Sequence, residues 1–167
     1  MGQAADHRRG VYRRGCRVSE RKVIRERPVP KSEEVSKRMR RQASTHTAAE
    51  IRMTEALVRC GYKVAHHPND LPGRPDIVLE RHKIAIFVNG CFWHGCPRHF
   101  RCPTHNRAWW SQKIEMNRAR DRRKSRTLRR MGYSVAVIWE HDDPATLVRR
   151  VRRMITNGRP KKSRLRA

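Results

Sequence analysis

The chain has no run of apolar residues approaching the roughly 18 needed to cross a bilayer, and its Arg-rich beginning lacks the apolar core of a secretion signal. A membrane-spanning or exported protein is therefore not expected, and a cytoplasmic location is. Acidic residues are scarce: Asp and Glu total 15 against 41 Lys and Arg, a formal charge of +26. Such an imbalance suits a polyanion whose condensed counterions are released on binding, so nucleic acid is the expected partner. An anionic lipid surface is the weaker alternative, because no basic segment carries a broad apolar stripe. Aromatic residues make up only 6% of the chain, which makes the place where they gather informative.

A chain of 167 residues has room for one core. Residues 1–42 are rich in Arg, poor in periodic apolar positions and broken by Pro28-Val29-Pro30, so they bury too little to offset the entropy of ordering. They are expected to form a basic, mostly disordered arm. Residues 43–156 are expected to fold, and 157–167 to form a basic tail.

Thr47-Ala48-Ala49-Glu50 has the form of a capping box, with a hydroxyl at the helix start and a carboxylate three positions on. Ala49, Met53, Ala56, Leu57 and Cys60 follow at helical spacing up to Gly61. Tyr62 to His66 reads as a short strand. Asp76 to Leu79 and Ile84 to Val88, separated by Glu80-Arg81-His82-Lys83, read as an antiparallel hairpin. A long helix is expected from Arg107 to Met131, an apolar strand, central in its sheet, from Tyr133 to Trp139, and a last helix from Pro144 to Ile155. This order predicts an α/β or α+β fold with a mixed sheet.

The chemistry concentrates in one stretch. Asp76 closes the Pro/Gly-rich run Leu71-Pro72-Gly73-Arg74-Pro75-Asp76, where a carboxylate at a strand mouth can hold Mg2+ or simply form a turn. Five cysteines make an odd set, and three of them, Cys91, Cys96 and Cys102, crowd together with His94, His99 and His105. That density points to metal binding before disulfides. Cys91, Cys96 and His99 are three ligands of the kind zinc prefers, with a fourth to come from His141, Cys102 or His105. His94, inside the same loop, is either a zinc ligand or a base acting on water at a phosphate. On the long helix, Trp110, Ile114, Asn117, Asp121, Leu128 and Met131 share one face. Asn117 and Asp121 thus need partners, either in the neighbouring loop or in a catalytic group. Phe92, Trp93, Trp109 and Trp110 flank the Cys/His loop, and some of them are suited to wedging between base pairs.

Leu71-Pro72-Gly73-Arg74-Pro75-Asp76, Gly90-Cys91-Phe92-Trp93-His94, Lys113-Ile114 with Asn117 and Arg120-Asp121, and Val137-Ile138-Trp139-Glu140 resemble, in order and spacing, the very-short-patch (Vsr) DNA mismatch endonucleases. The resemblance covers roughly residues 36 to 156. It implies a restriction-endonuclease-like (PD-(D/E)XK-type) α/β fold with a structural zinc loop, Mg2+ as catalytic cofactor, Zn2+ as structural cofactor, and double-stranded DNA as substrate. The implied reaction is nicking 5′ to the thymine of a T:G mismatch, by a monomer that works beside mismatch-repair proteins. Carried over, it makes Asp76 the Mg2+ carboxylate, helped by the Val88 carbonyl, and His94 the catalytic imidazole. Asp121 then supports an active-site histidine and Glu50 lies near the metal waters. Phe92, Trp93 and Trp110 become the wedge, with Asn117 grouped among the DNA-contacting residues.

Two positions depart from the family pattern. Asn89 stands where a second active-site histidine is usual, and an amide cannot shuttle a proton near neutral pH. The histidine-rich stretch between the loop cysteines is shortened to His94-Gly95, and His141 replaces a cysteine after Trp-Glu, which gives Cys91, Cys96, His99 and His141 as the implied zinc set. Two rivals stand beside mismatch repair: a related nuclease that cuts modified, unmodified or foreign DNA, and a zinc-stabilised DNA-binding protein without catalysis.

Overall fold

The computed structural model describes residues 47–158, with residues 29, 32–34 and 37 before them. The expected basic arm and tail lie almost wholly outside the described residues. The elements are α1 (Ala48–Arg59), β1 (Ala65–His66), β2 (Ile77–Leu79), β3 (Ile84–Asn89), α2 (Arg107–Arg130), β4 (Ser134–Trp139) and α3 (Pro144–Gly158). Thr47 caps α1, its hydroxyl accepting from the Glu50 amide at 3.3 Å, as the capping-box spacing predicts. Cys60, expected on the buried stripe of that helix, is exposed at its end.

The four strands lie in the order β1-β2-β3-β4, the first three antiparallel and β3 parallel to β4. The hairpin is therefore present, turned through Glu80–His82 and a left-handed Lys83. The parallel β3–β4 pair needs a crossover, which the Cys/His loop and α2 provide. The apolar strand β4 was expected in the middle of the sheet, but it is an edge strand among the described residues. Its apolar character comes from helices on both faces: Ala136 and Ile138 pack toward α1 and α3, while Val135 packs toward α2.

Strand alternation assigns every inward residue. Ile77, Leu79, Ile84 and Ile86 meet Met53 and Leu57 of α1 and Leu147 and Val151 of α3. Val78 and Ala85, on the opposite face, meet Leu128 of α2. Each large aliphatic side chain so buried contributes about 1.5–3 kcal/mol, so this three-layer α/β arrangement fixes the sheet independently of its loops. Met131, expected on the inner face of the long helix, caps its end and is 46% exposed.

Parallel pairing sets Asn89 beside Trp139, so the chain leaves β3 and β4 at the same end of the sheet. Asp76, one residue before β2, enters at that end too, because Ile77 pairs with Ile86. No described helix is long and apolar enough to cross a membrane.

Candidate active site

Asp76 sits at the sheet end with one carboxylate oxygen accepting the Val88 amide at 2.7 Å. Beside it stand His67, whose Nδ1 is 3.8 Å from the other Asp76 oxygen, and Glu50, whose Oε2 is 3.2 Å from His67 Nε2. The second Glu50 oxygen accepts from the Thr47 hydroxyl at 2.9 Å. Burial pushes the Asp76 carboxyl above its ordinary range; the Val88 amide offsets part of this, the Glu50 charge adds to it, and His67 and Lys124 lower it. A buried carboxylate beside a half-buried one makes a site suited to a cation. The ligating atoms of Glu50, His67 and Asp76 lie within 4.8 Å of one another.

The same cleft, about 440 Å³, is lined by Val88, Asn89, His94, Asp121 and Lys124. His94 Nδ1 is 2.6 Å from Asp121 Oδ2. An imidazole bonded to a carboxylate through Nδ1 has its tautomer fixed and presents Nε2 to whatever enters the cleft. His94 lines the cleft and is not among the converging residues of the Cys/His cluster. Helix α2 holds the loop through main-chain contacts. Asn117, buried, donates to the Trp93 carbonyl at 2.9 Å and accepts from Arg120 at 3.1 Å. Arg118 donates to the Gly95 carbonyl at 2.6 Å. With both ends of its amide engaged, Asn117 braces the loop. Gly95 has φ +65, and a Cβ there would lie 2.5 Å from Arg118 Nη2 and 2.7 Å from Ile114 Cγ2, so only glycine allows this approach.

Cys91, Cys96, His99 and His141 converge beside the cleft. Cys91 Sγ is 3.0 Å from His141 Nδ1 and 3.5 Å from His99 Nδ1, while Cys96 Sγ is 3.9 and 4.0 Å from the same two atoms. Tetrahedral zinc with its ordinary bond lengths separates sulfur and nitrogen ligands by about 3.6 Å, and these distances bracket that value. Without a cation, burial, the hydrogen bond with Cys96 and the nearby Glu140 push the Cys91 thiol up to about 12. Glu140 also accepts the Cys91 amide at 2.7 Å, and Asp142 lies 3.4 Å from His141 Nε2, orienting the ring so that Nδ1 faces the cage. The other two candidates point away: Cys102 contacts Ser111 at 3.4 Å and His105 contacts the Val29 carbonyl at 3.3 Å.

Phe92, Trp93 and Trp110 form one cluster, with ring centroids 5.0 to 6.0 Å apart. Trp109 packs edge-on against Trp110 at 4.8 Å. All four rings are half-buried, which leaves part of each available to a ligand.

Sequence reasoning missed His67 and Lys124. His67 stands in an irregular turn with no periodicity, and only its nearness in the chain to the Asp76 motif could have singled it out. Lys124 follows Asp121 by three positions, so helical spacing could have found it; its stem packs over Gly73 and its ammonium lies 5.9 Å from the Phe87 ring centre.

A family description of the DNA mismatch endonuclease Vsr matches residues 29–99. The chain is 41% identical over 121 residues to the type II nicking enzyme V.XorIIP of Xanthomonas oryzae, covering 70% of this chain and 88% of that protein. The chain belongs to the Vsr endonuclease family. It is also 35% identical over 121 residues to the type II nicking enzyme V.NaeI of Lentzea aerocolonigenes, covering 70% of this chain and 73% of the relative. To the DNA mismatch endonuclease Vsr of Escherichia coli it is 38% identical over 106 residues, covering 63% and 68%. This Vsr-family protein is accordingly a DNA endonuclease with a mixed α/β fold.

The His94–Asp121 pair carries a first prediction. Asp121→Ala removes the acceptor that fixes the tautomer of His94, so nicking is expected to fall by about 10²–10⁴-fold with duplex binding kept. Single-turnover rates on a nicked-strand gel and a parallel binding titration measure the two quantities. An unchanged rate would show that His94 works without this partner.

Proposed function

We propose that this endonuclease cuts one strand of duplex DNA at or near a T:G mismatch, using Mg2+ held by Asp76 and the Val88 carbonyl, with Glu50 close to the metal waters. The observation that carries the reading is the meeting, in one cleft, of buried Glu50 and half-buried Asp76 with a carboxylate-oriented imidazole. The layered α/β core with Asp76 at its sheet end fits a restriction-endonuclease-like fold.

The bound dication would supply charge stabilisation at the phosphate and the leaving oxygen. The chain's own groups do the rest. His94, held by Asp121, takes a proton from the attacking water through Nε2. Arg120 and Lys124 line the cleft and offer charge-assisted bonds to the equatorial phosphate oxygens. Phe92, Trp93 and Trp110 enter the base stack beside the mismatch, at a cost of about a few kcal/mol that is lowest where pairing is already defective. Cys91, Cys96, His99 and His141 would hold Zn2+, which would fix the loop that carries His94.

A second reading is cleavage of duplexes with no mismatch, and Asn89 favours it, because the cleft then has an amide where the family's mismatch enzymes have an imidazole. One panel separates the two. End-labelled duplexes carrying T:G, 5-methylcytosine or only matched bases are incubated with Mg2+. Nicking of the T:G duplex at least about tenfold faster than the others, a difference of 1.4 kcal/mol, supports mismatch repair. Equal rates support the second reading, and no Mg2+-dependent nick on any duplex overturns both.

A further inference from the structure

We propose that Arg74 grips a DNA phosphate flanking the scissile one, its backbone held at positive φ so that the guanidinium stands at the mouth of the cleft. The inference rests on Asp76 marking the place where the strand is cut, and it adds a substrate contact two residues before that carboxylate.

Arg74 has φ 45, a region that bulky side chains rarely adopt, and the proline after it pushes the other way, toward extended backbone. If the turn needed only its shape, Gly or Asn would serve better at this position. The turn is pinned from several sides. Leu71 and Pro75 are buried at its two ends, and the Arg74 amide donates to the Leu71 carbonyl at 3.2 Å. Gly73 lies so close under α2 that a Cβ there would come within 2.7 Å of Lys124 Cγ. Backbone held against its preference gathers at ligand clamps, where the surrounding structure fixes one side chain in place. What this turn delivers is an exposed Arg on the wall of the cleft that contains Asp76.

Arg74, Arg120 and Lys124 are the Lys and Arg residues that line this cleft. Arg120 donates to the Asn117 carboxamide at 3.1 Å, and the Lys124 ammonium lies 5.9 Å from the Phe87 ring centre. The Arg74 guanidinium has no hydrogen bond, ion pair or ring contact among the described residues. Glu50, Asp76, Asp121 and Glu140 line the same cleft, and their charge repels an incoming phosphate chain. A free guanidinium fork at the mouth offsets that repulsion, because it can pair two phosphate oxygens at once. Arg74 is exposed while Asp76 is half-buried, so Arg74 meets a neighbouring phosphate and not the one being cut.

Such a contact is made before the cut and during it alike, so its loss raises KM and leaves kcat. The test uses the full chain with Mg2+ and whichever end-labelled duplex, T:G, 5-methylcytosine or matched, wild type nicks fastest. Arg74→Asn, which tolerates positive φ, should raise KM about 10- to 100-fold with little change in kcat. It should also lower the slope of log affinity against log salt by about 1 and melt at or above wild type. Arg74→Lys keeps the charge without the fork and should recover part of the loss. A neutral methylphosphonate is then placed at each phosphate around the nick in turn. At one flanking position it should cost wild type as much as Arg74→Asn does, and cost Arg74→Asn nothing more. Wild-type KM in Arg74→Asn overturns the inference, and so does a fall in kcat with KM kept. A scan in which every flanking position keeps its full effect in the variant overturns it as well; the same scan on Arg74→Lys serves if Arg74→Asn folds poorly. Should Asp76→Asn nick at the wild-type rate, the reading of the cleft falls too, whereas an inactive Asp76→Asn beside an unaltered Arg74→Asn removes this inference alone.

Discussion

Asp76→Asn is expected to slow nicking by at least about 1,000-fold, the effect of losing roughly 4 kcal/mol of transition-state stabilisation, while duplex affinity stays near that of wild type. The amide keeps the shape of the carboxylate and can still accept the Val88 amide, which now bonds Asp76 at 2.7 Å. What it loses is the charge that holds a cation. DNA affinity is preserved because it comes from the large excess of Lys and Arg. The same substitution has an opposite expected effect on stability. Burial raises the Asp76 carboxyl above its value in the unfolded chain. The fold therefore favours the protonated form, and the metal-free protein carries a penalty that sets in as the pH rises past the carboxyl's value in the unfolded chain and is present at neutral pH. Without divalent cations at pH 7, Asp76→Asn should melt at or above the temperature of wild type. A variant that nicks at the wild-type rate would remove Asp76 from the reaction. One that melts well below wild type would show that the charge stabilises the fold.

Stripping the zinc proposed for the Cys/His cage should have the second-largest effect. The cage ties the end of β3, through Cys91, to the loop residues Cys96 and His99 and to His141 after β4. Residues 97–99 are exposed, so the loop has little apolar packing of its own there. Structural zinc in small peptides supplies about 10–16 kcal/mol, comparable with the whole stability of a typical domain, about 5–15 kcal/mol. Loop order is therefore expected to follow the ion. The three-layer core does not involve the cage, and helical content should survive. His94 lies between two cage cysteines, so its alignment with Asp121 should be lost, and nicking should fall by about 10²–10⁴-fold. Chelation followed by circular dichroism, hydrogen exchange across residues 91–99 and a nicking assay reads all three. Zinc should restore the activity where Mg2+ alone does not. Undiminished nicking in the stripped protein would mean that α2 alone positions His94, through Asn117 and Arg118.

Much of this arrangement could be read from the residue order because the chemistry is written in short local runs. A carboxylate after a Pro/Gly turn announces itself, as do thiols and imidazoles packed into one loop, and three of the converging residues, Cys91, Cys96 and His99, were legible this way, while His141, beyond β4, was one of three candidates and was singled out only by the family resemblance. Helical spacing placed Asn117 and Asp121 on one inner face. It left their tasks open, since those depend on the loop lying across that face: Asn117 holds the Trp93 carbonyl and Asp121 the His94 ring. His67 was not legible because its significance comes from contacts with α1 and the start of β2, and no linear spacing encodes them. The position of β4 failed for a related reason. An apolar strand reports that its faces are covered and is silent about its neighbours in the sheet.

The edge position of β4 has a consequence for solution behaviour. A bare strand edge offers carbonyls that another polypeptide's amides can seize, the first step toward ribbon-like aggregates. Here the guanidinium of Arg150, on α3, donates to the Val137 carbonyl at 2.6 Å. An intruding strand would have to evict a charged group of the protein's own.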